Sequence, residues 1–225
     1  MTQNLPTHLG FIVDGNRRWA KARNLPTLEG HRKGFKKVEM VAEKMIEHGV
    51  KYISFYLFST ENWNRSKEEV DYLMDLVRTQ IMSMVQKLKK KDIRCVVLGS
   101  TKQVAPDILE KLRDAEETTK NCKRGTIGIC FNYGGQQEIA EAAAAAAKEG
   151  DITVESIQSH LYHPEVPACD MIIRTSGEQR ISNFLLWRAA YSEFLFIPKP
   201  FPDMKEADLQ NVLDEYTNRH RRFGH

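Results

Sequence analysis

Apolar or β-branched runs recur along the chain at residues 9–13, 52–58, 93–98, 126–131, 171–174 and 194–197. Within each run the apolar residues are continuous rather than alternating, as in strands buried on both faces. Helical periods fill most of the gaps. After Gly30, the set Phe35, Val38, Val41, Ala42, Met45 and Ile46 falls on one face, and Gly49 stops it. Residues 68–91 read as a second helix. Pro106 opens a third, with Ile108, Leu109, Leu112 and Ala115 on one side. An alanine-rich helix over 138–149 ends at Gly150, and 205–219 is a last amphipathic helix. Doubly buried strands alternating with helices predict an α/β fold: a mostly parallel central sheet of about six strands covered by helices. No repeat, linker or composition break divides the chain, so residues 1–225 are expected to form a single domain.

Composition closes off several classes. The longest apolar stretch, around 52–58, is far too short to cross a bilayer. The first residues lack the basic-then-apolar pattern of a secretory signal. Cys95, Cys122, Cys130 and Cys169 show no CxxC spacing and read as reduced, mostly buried thiols of a cytoplasmic protein. A net charge of +3 is too small to argue for nucleic acid, although basic residues cluster at 17–23, 31–37, 87–91 and 219–222.

The chemistry concentrates where strands end. The run that closes at Val13 breaks at Asp14-Gly15-Asn16 and restarts as Arg17-Arg18-Trp19-Ala20-Lys21, a helical composition. Strand, glycine turn and helix start bring N–H groups together on an anion, and two guanidinium forks stand beside them. A carboxylate at that place repels a phosphate unless a cation lies between, which makes Asp14 a candidate Mg²⁺ ligand. Seen alone, Asp-Gly-Asn is a common turn. A second strand end carries Phe58-Ser59-Thr60-Glu61-Asn62-Trp63-Asn64-Arg65. A tryptophan in so polar a loop suggests a lid or a surface for an apolar ligand. A third carries Arg174, Arg180 and Ser182, donors that can surround a diphosphate. Asn132-Tyr133-Gly134-Gly135 is a further glycine turn, weak by itself. His31 can donate to a diphosphate or cap a helix. Glu193 reads as a second acidic metal contact or as an ordinary salt-bridge partner. The helix over 68–91 has an apolar stripe wider than one face, from Val70 to Leu88, which means deep burial or a wall facing something greasy. The lysines that close it complement the helix dipole, and they equally suit anionic lipid heads.

Together these segments resemble the cis-prenyltransferases, most closely the bacterial undecaprenyl diphosphate synthases. The likeness runs from His8 to Gly224 and rests on DGNRRWA, EGH, FSTENWNR, NYGG, IIRTSGEQRISNFLLW, YSEF and RRFG in that order. It implies an enzyme that adds isopentenyl diphosphate units to an allylic diphosphate primer, expected to be farnesyl diphosphate, with Z double bonds and Mg²⁺. By position, Asp14 matches the residue that holds the metal. The backbone of Gly15, Asn16, Arg17 and Arg18, with the Arg18 and His31 side chains, matches the allylic diphosphate site. Asn62, assigned to catalysis as an orienting group, matches a mobile loop with Trp63 and Arg65. Trp19, Ser59 and Glu61 stand inside matched motifs and are assigned to substrate binding with them. Arg174, Arg180 and Ser182 match the isopentenyl diphosphate site. Glu193 matches a second metal-linked acid, supplied from a partner subunit or from the same chain, and residues 222–224 match a motif that reaches across a homodimer. Glu69 and the helix after it resemble the flexible segment and wall of an apolar product tunnel. The implied product is a long polyprenyl diphosphate of undecaprenyl length, a lipid carrier for cell-wall glycan synthesis, which implies peripheral membrane contact.

Thr27 and Gln179 depart from the family, standing where many bacterial members have an arginine and a histidine. A non-catalytic partner subunit of the same fold is disfavoured, because Asp14, Arg174, Arg180 and Glu193 are intact. A generic nucleotide-binding protein is disfavoured too: neither GxxxxGK[ST] nor GxGxxG occurs. Nor does DDxxD, which argues against an aspartate-rich prenyltransferase.

Overall fold

The computed structural model describes residues 5–219. Its strands are β1 (His8–Ile12), β2 (Tyr52–Ser59), β3 (Ile93–Leu98), β4 (Gly125–Tyr133), β5 (Met171–Thr175) and β6 (Glu193–Ile197). They form one sheet in the order β3-β4-β2-β1-β5-β6, and every neighbouring pair is parallel. The helices are α1 (Asn16–Lys21), α2 (Thr27–Glu47), α3 (Lys67–Lys90), α4 (Pro106–Thr119), α5 (Gly135–Glu149), α6 (Val154–Ser159) and α7 (Glu206–Thr217).

Both faces of the sheet are apolar, which is why the strands read as continuous runs. Leu9, Phe11, Ile53, Phe55, Ile127, Ile129 and Ile173 point to one core, shared with α2, α3, α4 and α7. Ile12, Tyr56, Cys130 and Ile172 point to the other. This second face departs from the expected helical cover. Its core is filled by Val166, Cys169, Phe184, Leu185 and Ala189, from the irregular segments on either side of β5. Their spacing has no regular period, so no sequence pattern announced them. The four cysteines are free, and three are buried.

One helical feature differs from expectation, and another resolves an alternative that the sequence left open. α2 begins before Gly30 and runs through both Gly30 and Gly34. A Cβ on Gly30 would lie 2.0 Å from the Asn16 carbonyl oxygen, and one on Gly34 would lie 2.4 Å from Asn16 Oδ1. Those glycines let the start of α1 press onto α2, a packing need that outweighs their helix cost. The broad stripe of α3 is core: Val70, Met74, Val77, Ile81, Met84, Val85 and Leu88 are all buried. Lys87 and Lys91 do not simply trail into solvent. They pair with Glu39 at 2.9 Å and Glu43 at 2.6 Å, stitching the end of α3 to α2. Among the described residues, no helix is long and apolar enough to cross a membrane.

The irregular cover of the second face is held by a buried charge pair. Arg188 Nη1 donates to Glu138 Oε1 at 2.6 Å, both side chains about 1% exposed. Glu138 also accepts from the Tyr133 hydroxyl at 2.5 Å and the Tyr162 N–H at 3.1 Å, while Arg188 donates to the Val166, Tyr162 and His163 carbonyls. Removing one partner strands the other charge in the interior. Arg188→Met is therefore expected to destabilise the fold by roughly 3–5 kcal/mol, read as the shift of the urea midpoint; a wild-type midpoint would show that the two tyrosines satisfy Glu138 unaided.

Candidate active site

In an open parallel sheet, ligands collect at the carboxyl ends of strands where the direction of connection reverses. Here that point lies between β1 and β5. The chain leaves β1 towards β2 on one side, and leaves β5 towards β6 on the other. Asp14 follows β1, and Arg174 is level with Ile12 in the register of the pair. Arg174 is buried, and Nη2 donates to Asp14 Oδ2 at 2.9 Å. Its Nη1 donates to the Arg180 carbonyl at 2.5 Å and to Ser182 Oγ at 2.8 Å. One guanidinium thus ties the β1 turn to the loop after β5.

The turn itself is fixed from both sides. Thr175 Oγ1 and the Phe201 N–H donate to the Asp14 carbonyl at 2.7 and 3.0 Å. Gly15 has φ 96°, and a Cβ there would lie 2.6 Å from Ser176 Oγ, so only glycine fits. Asp14 Oδ1 accepts the Gly15 N–H at 2.6 Å, and Arg18 Nη2 stands 3.5 Å from Oδ2. Burial works against the Asp14 charge, but these donors and the two guanidinium charges together hold its carboxyl below the usual carboxylate range.

Two adjoining hollows open over this turn and share Val13, Asp14, Asn16, His31 and Arg65. The first, about 510 Å³, adds Arg17, Arg18, Lys21 and Thr27. The second, about 600 Å³, adds Ser59, Glu61, Asn62, Arg174, Arg180 and Ser182. A narrow apolar hollow of about 50 Å³ leads off between α2 and α3, where Val13, Asn16 and His31 meet Phe35, Val38, Leu73, Leu76 and Val77. It lies along the helix read from sequence as the wall of an apolar tunnel, and the packing of α3 on α2 leaves it small.

Two buried polar atoms among the described residues have no partner, Arg174 Nε and Asn16 Oδ1. Arg174 and Asn16 both line the second hollow. Leaving such atoms unpaired costs about 1–3 kcal/mol each; of the two, only the Arg174 Nε–H is a donor that an anion could satisfy, while Asn16 Oδ1 is an acceptor packed against Gly34. The donor set suits a diphosphate. For a metal, the chain offers little alone: no cluster of three or more His, Cys, Asp or Glu side chains is found among the described residues. That fits Mg²⁺, which takes one or two carboxylates and fills its other positions with water and phosphate oxygens.

Most of the residues singled out in the sequence converge here, and three do not: Trp63, on the loop after β2, lines none of these hollows, and neither do Trp19 and Glu193. Trp19 is turned away: its indole N–H donates to Asp203 at 2.6 Å and Arg23 lies over its ring, clamping α1 to the turn at Phe201–Asp203. Glu193 opens β6 level with Met171, three residues and roughly 10 Å below Arg174, and binds Arg219 at 3.2 Å. Within one chain it does not meet Asp14. Residues 222–224 lie outside the described residues.

The loop after β2 is a 3-10 turn, Thr60–Asn64, tied at several points. The Asn62 amide oxygen accepts the Ser59 N–H at 3.1 Å, Glu61 accepts from Asn183 at 2.9 Å, and Trp63 packs edge-on against Phe58. Arg65 donates to Glu69 at 2.8 Å. Glu69, read from sequence as part of a flexible segment, is a buried hub that also meets His31 at 3.1 Å and Arg17 at 3.6 Å. Sequence reasoning passed over Asn183, which caps the start of α5 through the Gln136 N–H at 2.9 Å and lines the second hollow. Its left-handed backbone, at φ 65°, is the kind of place where asparagine is informative. Asn132-Tyr133-Gly134-Gly135 proves to be scaffold for this loop, since a Cβ on Gly134 would lie 2.6 Å from Thr60 Oγ1.

Comparison with known proteins agrees with this geometry. Residues 12–224 match the family model described as "Putative undecaprenyl diphosphate synthase". The isoprenyl transferase of Thermotoga maritima is 42% identical over 98% of this chain and 97% of its own length. The decaprenyl diphosphate synthase of Mycobacterium tuberculosis is 43% identical over 98% of this chain and 77% of its own length. Among solved structures, lavandulyl diphosphate synthase from Lavandula x intermedia, in complex with dimethylallyl diphosphate, superposes with a TM-score of 0.93 at 35% identity, covering 98% of this chain and 99% of that one.

The Glu69 hub sets the charge on His31. Burial lowers the imidazole pKa, Glu69 raises it, and Arg65 and Arg17 lower it again, leaving it below the ordinary histidine value. His31 is therefore neutral at neutral pH, and its one N–H, on Nε2, is donated to Glu69 Oε1, which leaves Nδ1 as an acceptor. Glu69→Gln removes the raising influence, so the His31 titration followed by NMR is expected to move further down; an upward move would contradict the assignment.

Proposed function

Because the chain belongs to the undecaprenyl diphosphate synthase family of cis-prenyltransferases, we propose that it condenses isopentenyl diphosphate units one after another onto farnesyl diphosphate, with Z stereochemistry. It is an isoprenyl transferase enzyme, as its relatives are. The product in this reading is a long polyprenyl diphosphate of undecaprenyl length, the lipid carrier for cell-wall glycan. The observation that carries the reading is the junction of two cation-lined hollows with one apolar hollow at Asn16 and His31.

The first hollow takes the primer diphosphate, against Arg17 and Arg18, with His31 turned to Glu69 at its wall. The second takes isopentenyl diphosphate, against Arg174, Arg180 and Ser182. Arg65 stands between them. Breaking the allylic C–O bond builds negative charge on the leaving diphosphate and positive charge on carbon. Guanidinium donors already held in place stabilise the first without reorganising. The apolar wall of Leu57, Phe35, Leu73 and Val77 shields the second from water. Asp14 would hold Mg²⁺ against the primer diphosphate, and bound Mg²⁺ neutralises the charge that develops there. Asn62 orients groups over the second hollow, on a loop of residues 60–65 that closes on the substrates. As the product lengthens, α3 parts from α2. Each added unit carries five carbons, worth about 4 kcal/mol of apolar burial at about 0.8 per carbon, so the finished chain belongs in a membrane that the enzyme meets peripherally. Glu193 serves the metal of a second copy, since β6 is the sheet edge and Tyr191 and Phe194 stand exposed beside it.

Incubation of the pure protein with labelled isopentenyl diphosphate, farnesyl diphosphate and Mg²⁺ tests the reading. A ladder of long polyprenyl products that disappears with a chelator is expected. No product, with detergent or vesicles supplied, would turn the assignment towards a partner-dependent subunit. Asp14→Ala is expected to cut turnover by something on the order of a hundredfold or more with the fold intact by circular dichroism. Near-normal turnover in that variant would remove the metal assignment.

A further inference from the structure

Asn132 lines neither polar hollow, yet every polar atom of its side chain is used. Its Oδ1 accepts the Trp63 Nε1–H at 2.8 Å, and its Nδ2 donates to the Ser100 carbonyl at 2.8 Å and the Lys102 carbonyl at 2.7 Å. Two carbonyl acceptors fix which way the amide points. The residue is 3% exposed and sits at φ 49°, a left-handed conformation that asparagine tolerates better than most side chains. The end of β4 around it is firmly seated. The Ser100 N–H donates to the Asn132 carbonyl at 3.1 Å, and Gly99 passes so close that a Cβ would lie 1.8 Å from the Phe131 carbonyl oxygen. The 3-10 turn at Thr60–Asn64 contains no buried residue. Its one large side chain is Trp63, and that side chain ends on Asn132.

We propose that Asn132 is a positioning residue for prenyl transfer. It holds the Trp63 indole, and through it the register of the turn that places Asn62 and Arg65 along the second hollow. The inference rests on the reading of residues 60–65 as the loop that closes over the substrates. The two ends of the amide have separate tasks. Oδ1 serves the loop, while Nδ2 ties β4 to the connection after β3.

That division gives the test. Asn132→Gly keeps the left-handed backbone and loses both ends. Asn132→Asp keeps an acceptor for the indole and loses the donors. Trp63→Phe keeps a ring on Phe58 and removes the N–H, and Trp63→Ala removes both. KM for isopentenyl diphosphate and for farnesyl diphosphate, kcat and the thermal midpoint are measured for each, and for both Asn132 variants in the Trp63→Phe background. Asn132→Gly is expected to raise KM for isopentenyl diphosphate about tenfold, the scale of one lost hydrogen bond, with a smaller change for the primer. In the Trp63→Phe background the same substitution is expected to change it less than about twofold, as a coupled pair requires. Asn132→Asp is expected to keep a near wild-type KM with a lowered thermal midpoint. A KM change of full size in the Trp63→Phe background overturns the proposal, because the effect then bypasses the indole. Wild-type kinetics in Trp63→Phe beside an impaired Trp63→Ala also overturn it, and leave the lid standing. Wild-type kinetics in Trp63→Ala as well remove the lid, and the proposal with it.

Discussion

The buried guanidinium of Arg174 is the interaction on which the site depends. β1 and β5 are neighbours far apart in sequence, and their turns diverge to opposite sides of the sheet. Arg174 bridges that divergence by holding Asp14 with one nitrogen and the loop at Arg180 and Ser182 with the other. Its Nε is left without a partner. A charge buried this deeply persists only with good partners. In the proposed function, the carboxylate that neutralises Arg174 is also the one that would hold the cation, so anion binding and cation binding would share one hydrogen-bonded unit.

Around that unit the basic side chains come from separate elements: the Arg17 and Arg18 guanidiniums from α1, the neutral His31 imidazole from α2, and the Arg65 guanidinium from the loop before α3. Glu69, buried within α3, pairs with Arg17 and Arg65 and accepts from His31. The hub therefore joins α1, α2 and α3 at the mouth of the apolar hollow, while the Lys87 and Lys91 pairs join α2 and α3 at the far end. The seam between these helices is thus tied by charge at both ends, with the apolar hollow of Phe35, Val38, Leu73, Leu76 and Val77 between them.

The legible parts of the fold were those with a period. Every strand falls within a residue or two of its apolar run, and Pro106 and Gly150 mark helix ends as their backbone chemistry requires. The cover of the second face was not legible, because Phe184, Leu185 and Ala189 belong to no period. Nor was the passage of α2 through Gly30 and Gly34, where two glycines that usually end helices serve instead to admit Asn16. The wide stripe of α3 pointed to deep burial or a greasy wall, and the neighbouring elements decided for core along most of its length.

By itself the sequence determined the family, the parallel sheet and the residue types that a diphosphate needs, since continuous apolar strands and glycine turns are local properties of the chain. Tertiary structure decided how those residues are shared out. Trp19, assigned to substrate binding within its motif, instead clamps α1 from behind together with Arg23. Glu193 is carried to the opposite end of its strand from Asp14. Asn132, which read as part of a plain glycine turn, and Asn183, which sequence reasoning passed over, hold the loop after β2. Which contacts a side chain makes depends on strand order and on the angle at which distant turns meet, and neither is written in the spacing of residues along one segment.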